Sequence, residues 1–283
     1  MASFKFNFSG ESEDENRENG GELKDVEWLD SEEVIPNSNV DDLDELVEHA
    51  KMFTCGCIEI GHVLIDDIFK HNINKKNYEN ILNLAEKEHS DLVSGKYEGG
   101  LKIWECTYDL VEYFENNPDA INFKDMKVLD LGCGAGILGI YAFLKGATVT
   151  FQDYNKEILE LSTITNVLLN IEESGRDCGI KNFKFYSGDW ASFDKLLASE
   201  KFDIILTSET IYNQNNYEKL IKLFENRLNV NGVVYVAAKT YYFGVGGGTR
   251  QFETAVHKSS LKSEVVWKTS SGIQREIIKI TNA

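Results

Sequence analysis

Four acidic residues, Asp130, Asp153, Asp189 and Glu209, each stand just after a short apolar run in this 283-residue chain. Carboxylates in such places can accept hydrogen bonds from hydroxyls and amines, or hold a proton during a transfer. The first belongs to "VLDLGCGAGILG", residues 128–139, in which Gly132, Gly134 and Gly136 follow the acid at alternate positions. Glycines there let the backbone take positive φ and pass close to a ligand. The helix that should follow leaves N-terminal N–H groups to receive the ligand's polar end.

Residues 134–139 match the G-x-G-x-x-G dinucleotide pattern, but the register opposes that use. A dinucleotide site starts its first glycine directly after the strand, whereas here Asp130-Leu-Gly-Cys intervenes. Asp130 sits badly against a pyrophosphate and well near a cationic amine. S-adenosylmethionine carries such an amine, a carboxylate and a sulfonium, and no phosphate. Asp153, 23 residues on, suits the ribose hydroxyls. In "SGDW", Asp189 can accept from an adenine amino group while Trp190 covers the ring. In "TSETIYN", Ser208, Glu209 and Tyr212 fall where a transferable methyl would point.

The elements that must position these residues follow from periodicity. "MKVLDLG", "ATVTFQD", "NFKFYSG", "FDIILTS" and "GVVYVAAK" are strands, with helices between them at "GILGIYAFLKG", "NKEILELSTITNVLLN" and "NYEKLIKLFENRLN". A helix near 248–260 and a hairpin around Ser271-Gly272 end the chain. The fold class is therefore α/β, a doubly wound, mostly parallel sheet. Upstream, "WECTYDLVEYFEN" is a helix with Trp104, Tyr108, Val111 and Phe114 near its buried face, stopped by Asn117-Pro118. The Gly pair before it turns the backbone toward the sheet, bringing Trp104 and Glu105 beside the glycine turn, where Glu105 can meet the cofactor's amine. The loop "TYYFGVGGG" is a flexible rim for a protein substrate, with Tyr242 and Phe243 at the entrance.

Three regions result: a largely disordered acidic arm (1–48), a helical extension (49–98, helices at 62–72 and 77–93) and the catalytic domain (99–283). In "FKFNF", Phe4, Phe6 and Phe8 alternate like a short strand that docks on the body. The formal charge is −18, and residues 1–48 carry 16 acids against 3 bases. That excludes a general basic surface for nucleic acid and favours a basic protein partner. The five cysteines show no metal-ligand spacing and read as free thiols in a reducing compartment. No metal, membrane span or signal peptide is expected. The expectation is a monomer of the cytoplasm and nucleus, the nucleolus included.

Together "YEGGLKIWECTYDL", "LDLGCGAGILGI", "FQDYN", "LTSETIYN" and "YYFGVGGG" resemble the histidine protein methyltransferase family, seven-strand class I enzymes that use S-adenosylmethionine and modify large-subunit ribosomal protein L three. The likeness covers residues 90–283 and, more weakly, 1–8. It implies cofactor contacts from Ile103, Trp104, Glu105, Cys106 and Thr107; from the Asp130, Gly132, Gly134 and Gly136 turn; from Gln152, Asp153 and Tyr154; and from Gly188, Asp189, Trp190 and Ser208. The substrate it implies is that ribosomal protein, alone or with a chaperone.

Methyl transfer needs a lone pair held in line with the sulfonium methyl, and most histidines are neutral near pH 7. Glu209 would fix the imidazole tautomer or take its proton, and Tyr212 would shape the slot. The alternatives are a lysine or small-molecule methyltransferase of the same fold, and a non-catalytic cofactor-binding assembly factor. A nucleic-acid amino-methyltransferase would carry Pro-Pro-aromatic where this chain has Glu209-Thr210-Ile211-Tyr212. An NAD-dependent oxidoreductase lacks its strand-adjacent glycine.

Overall fold

The computed structural model describes residues 28–36, 48, 50–63, 96–100, 102–175 and 177–283. Five parallel strands form the middle of the sheet: β4 (Lys127–Leu131), β5 (Thr148–Asp153), β6 (Lys184–Ser187), β7 (Phe202–Ser208) and β8 (Leu228–Lys239). Within these five the chain runs first through β4, steps out to β5 and β6, then crosses back to β7 and β8. Antiparallel β9 (Leu261–Lys268) and β10 (Arg275–Asn282) finish one side, as the expected hairpin. At the other edge lies β1 (Glu32–Glu33), antiparallel to β6. Among the described residues the order is β1-β6-β5-β4-β7-β8-β10-β9, eight strands where seven were expected.

Two apolar layers sandwich the sheet. One joins its face to α1 (Glu105–Asn116), α2 (Ile137–Leu144) and α3 (Ile164–Glu173), the last preceded by a π-helical turn at Leu159–Thr163. The other packs α4 (Trp190–Leu196), α5 (Tyr217–Arg227) and α6 (Thr249–Val256). Gly139 in α2 lies directly on β5, where a Cβ would meet the Phe151 ring at 2.2 Å.

Three expectations change. Residues 28–36 of the arm are built into the body: β1 pairs with β6, and Val34 is buried in the first layer. Residues 51–62 of the helical extension form a hairpin instead, β2 (Lys51–Cys55) and β3 (Ile58–His62). Phe53 and Ile60 point inward from it, and the Asn166 and Asn170 side chains of α3 accept from Val63 N (2.8 Å) and Gly61 N (3.1 Å). The helix foreseen at 62–72 therefore starts on a strand residue, His62. Val63 follows it outside any helix; residues 64–72, the 77–93 helix and "FKFNF" lie outside the described residues. Tyr108 faces outward, 41% exposed, and stacks on Phe53 of the hairpin at 4.3 Å between centroids.

Helix propensity alone would make Gly139→Ala stabilising by up to about 1 kcal/mol. The Phe151 contact reverses the sign. The expected outcome is a loss of about 1–3 kcal/mol, as overpacked cores show, measured by urea denaturation.

Candidate active site

A cavity of about 860 Å³, counting its open mouth, lies over the carboxyl ends of β4, β5 and β7, where the chain's order reverses. That is where open α/β sheets bind ligands, and the size suits a small molecule.

Its floor is the glycine turn. Gly132, Gly134 and Gly136 have φ of 65°, 51° and 77°. Gly134 N donates to Asp153 Oδ2 (2.8 Å), whose Oδ1 accepts from Asn155 N (3.1 Å). Asp130 Oδ2 accepts from Gly139 N at 2.7 Å. Thr163 Oγ1 donates to Gly134 O (2.6 Å) and Asn166 Nδ2 to Ala135 O (2.8 Å), tying the turn to the helix behind it. Burial pushes Asp130 up to about 8, against the Gly139 amide and with help from Asp153. Burial likewise raises Asp153 to about 6, although three amides, those of Asn155, Gly134 and Tyr154, oppose it. Both carboxylates line the cavity, with part of their hydrogen-bonding capacity already spent on the turn.

At one end stand Tyr154, Gly188, Asp189 and Trp190, as foreseen, together with Trp28 and Asn216, which were not. Asp189 is the N-cap of α4: Oδ2 accepts from Ala191 N (2.9 Å) and Oδ1 pairs with Lys219. Its carboxylate is thus engaged once on each oxygen, and only the remaining lone pairs are left to accept from an adenine amino group. Gln152 does not line the cavity. It is fully buried behind it, donating to Gly188 O (2.8 Å) and accepting from Trp190 Nε1 (3.0 Å). Gly136 is also behind the wall, where a Cβ would meet Thr163 at 2.9 Å.

The roof is the segment before α1. Trp104 Nε1 donates to Gly99 O (3.1 Å), and Gly100 comes so near the floor that a Cβ on Gly134 would lie 3.4 Å from its carbonyl oxygen. Ile103, Trp104 and Thr107 line the cavity, and Thr107 Oγ1 meets Ser208 Oγ at 2.8 Å. Glu105 and Cys106 do not. Glu105 turns away from the cavity to pair with Lys239 at 3.1 Å. Burial pushes Glu105 up, but the Lys239 charge and hydrogen bond, a backbone amide and the Arg275 charge together hold the carboxyl below its ordinary value. Cys106 is wholly buried in the core.

Glu209 closes the remaining wall. It follows β7 with φ of 58° and donates its N–H to Ala237 O at 2.9 Å. Oε2 accepts from Tyr242 OH at 2.5 Å. Oε1 is buried, makes no hydrogen bond, and lies 3.5 Å from Lys239 Nζ. Burial and the adjacent Glu209 charge hold the Tyr242 phenol well above its usual range, so it stays a donor. Tyr212 lines the cavity and donates to Glu98. The loop foreseen as flexible is tied down: Gly247 N donates to Tyr212 O (3.0 Å) and Tyr242 N to Gly247 O (2.8 Å). Tyr242 is buried beneath it. The exposed aromatic pair is Tyr241 with Phe243, 4.9 Å apart and edge-on.

Sequence reasoning missed Trp28, Glu98 and Lys239. Trp28 sits in an acidic stretch with no motif. Lys239 was legible only as the polar end of an apolar strand.

Five acids line the cavity (Glu98, Asp130, Asp153, Asp189, Glu209) against one lysine, Lys102, and no arginine. Such a lining repels a pyrophosphate and accepts a cationic ligand with hydroxyls, which fits S-adenosylmethionine.

A protein-family profile described as lysine methyltransferase matches residues 79–244. The chain belongs to the lysine methyltransferase family. Its curated relatives include "Histidine protein methyltransferase 1 homolog" of Dictyostelium discoideum, 46% identical over 211 residues, covering 73% of this chain and 64% of the relative. The Bos taurus protein of the same name is 41% identical, covering 78% and 66%. The chain thus spans just under two thirds of the length of these relatives. "EEF1A lysine methyltransferase 3" of Mus musculus is 26% identical over 49% of this chain and 55% of its own length. Among solved structures, a SAM-dependent methyltransferase from Streptococcus mutans superposes with TM-score 0.52 at 14% identity, covering 82% of this chain and 55% of that one. That likeness shows the fold alone, a Rossmann-like α/β sheet.

A carboxyl whose folded pKa lies above its unfolded one holds its proton longer in the fold, so its contribution to stability falls as pH rises between the two values. For Asp130 that window runs from about 4 to about 8. Asp130→Asn should therefore gain stability relative to wild type between pH 5 and pH 8, read by urea denaturation. A constant difference would mean that Asp130 is ionised in the fold.

Proposed function

We propose that the chain is an S-adenosylmethionine-dependent protein-histidine N-methyltransferase acting on a basic protein of the large ribosomal subunit. The observation that carries the reading is Glu209, a residue of the cavity wall whose Oε1 is buried and makes no hydrogen bond, in a chain 41–46% identical to proteins named for histidine methylation.

A carboxylate there suits an imidazole. It accepts the N–H of one ring nitrogen, fixing the tautomer that leaves the other nitrogen's lone pair free. Facing a lysine, the same carboxylate would stabilise the ammonium, which has no lone pair. Tyr242 and Lys239 hold Glu209 in place and support its charge as the imidazolium forms. Asp153 would hold ribose hydroxyls, the glycine turn and Asp130 the amino-acid end, and Tyr154 with Gly188–Trp190 the purine. When bound, S-adenosylmethionine supplies the electrophilic methyl group. The net charge of −18 supports a basic substrate and opposes nucleic acid. A monomer of the cytoplasm and nucleus belongs to the same proposal.

The second reading is lysine methylation, favoured by the family's description and the mouse relative. Incubation with labelled cofactor and a ribosomal extract, followed by mass spectrometry, should place the label on histidine; label on lysine would overturn the proposal. The rate should level off near neutral pH, whereas a lysine substrate would keep gaining well above pH 7. Glu209→Gln should lower kcat by roughly 100-fold or more, as loss of a proton acceptor does, with KM little changed.

A further inference from the structure

The arm's segment 28–34 crosses the sheet edge beside the cavity. Leu29 N donates to Tyr154 OH (3.1 Å), and Leu29 O accepts from Asp189 N (2.9 Å). Ser31 N donates to Ser192 Oγ (2.9 Å), Lys156 pairs with Glu32 (2.8 Å), and Val34 N donates to Phe185 O (2.8 Å). The fit over the site is close: a Cβ on Gly188 would lie 2.5 Å from Asp30 O. Two of the strap's partners, Tyr154 and Asp189, themselves line the cavity.

This strap carries Trp28 onto the cavity wall. The indole meets Tyr154 edge-on, with centroids 5.9 Å apart, and Lys219 Nζ lies 3.5 Å from its ring centroid while also pairing with Asp189. The tryptophan foreseen for the cofactor's flat ring, Trp190, has its indole N–H committed to Gln152. Trp28 is therefore a second aromatic wall at the same end, supplied from about 125 residues before Tyr154.

We propose that Trp28 is a purine-binding residue of the cofactor site, and that docking of the 28–34 strap and cofactor binding reinforce each other. The inference rests on the S-adenosylmethionine reading. A flat heterocycle gains from an aromatic wall that excludes water. Docking of the strap completes that wall, and a ligand touching it must in return favour the docked state, because coupling between two equilibria is reciprocal.

Calorimetry with S-adenosylhomocysteine on the full chain tests this. Trp28→Ala should weaken binding by about 5- to 100-fold, the range that loss of one base-stacking aromatic gives. Trp28→Phe should stay within about threefold of wild type. Hydrogen exchange supplies a readout that a merely structural strap would not move: S-adenosylhomocysteine should slow exchange of the Leu29 and Ser31 amides several-fold in wild type and not in Trp28→Ala. Wild-type affinity in Trp28→Ala, or unchanged exchange in the wild-type strap, overturns the proposal. No binding by wild type would instead sink the cofactor reading itself.

Discussion

Two carboxylates buried at the ends of adjacent parallel strands hold the cavity floor in shape. Asp153 and Asp130 each spend an oxygen on a backbone N–H of the turn or of the helix that leaves it. The turn's glycines can adopt positive φ, but nothing in a glycine selects one conformation; the carboxylates do that. Once the turn is fixed, Gly100 can approach it, Trp104 can bond to Gly99, and the roof lies at a set height above the floor. Burying two acids side by side opposes folding unless they are protonated or hydrogen-bonded. The raised values of both groups show how strongly that environment disfavours charge, and why a ligand bringing a positive group would be welcome there.

A second buried cluster stands on the opposite wall. Lys239, at the end of β8, lies between Glu105 of α1 and Glu209 behind β7, with Tyr242 bonded to Glu209 from above. Removing one member of such a cluster leaves an uncompensated buried charge, which costs more than the intact cluster contributes. The cluster joins roof, sheet and loop, so Glu209 is set by three elements rather than by its own backbone. Its positive φ, unusual for a residue with a long side chain, persists because those partners and the Ala237 carbonyl over-determine it.

Much of this was legible in the sequence because the relevant signals are local. A strand ending in an acid, a glycine turn and a helix occupy twelve consecutive residues, and period-two and period-3.6 patterns placed the other parallel strands. The 51–62 hairpin was overlooked despite a local signal, Phe53, Cys55, Ile58 and Ile60 alternating about Gly56. What else escaped was set by distant partners. Neither the N-cap bond of Asp189 nor its pairing with Lys219, thirty residues on, shows in "SGDW". Glu105 sits one helical step from the cavity residues Trp104 and Thr107, and only the position of Lys239 decides which way it faces. Residues 28–36 read as solvated arm because Asp30, Glu32 and Glu33 continue the acidic run of residues 1–27. The segment's affinity for the body lies in backbone bonds that any sequence could make, in the buried Val34, and in the Trp28 and Glu32 side chains that meet Tyr154 and Lys156.

The strap's pairing has a consequence for how the chain is made. Glu32 finds Ser187 across about 155 residues of intervening chain. At ribosomal rates of about 5–20 residues per second, that partner strand is synthesised roughly eight to thirty seconds after the strap itself. Contacts of such long sequence separation form late in folding, so the edge of β6 waits bare while the strap remains tethered nearby as a solvated acidic segment. The strap's charges, Asp30, Glu32 and Glu33, disfavour edge-to-edge pairing with another copy of the same segment in that interval.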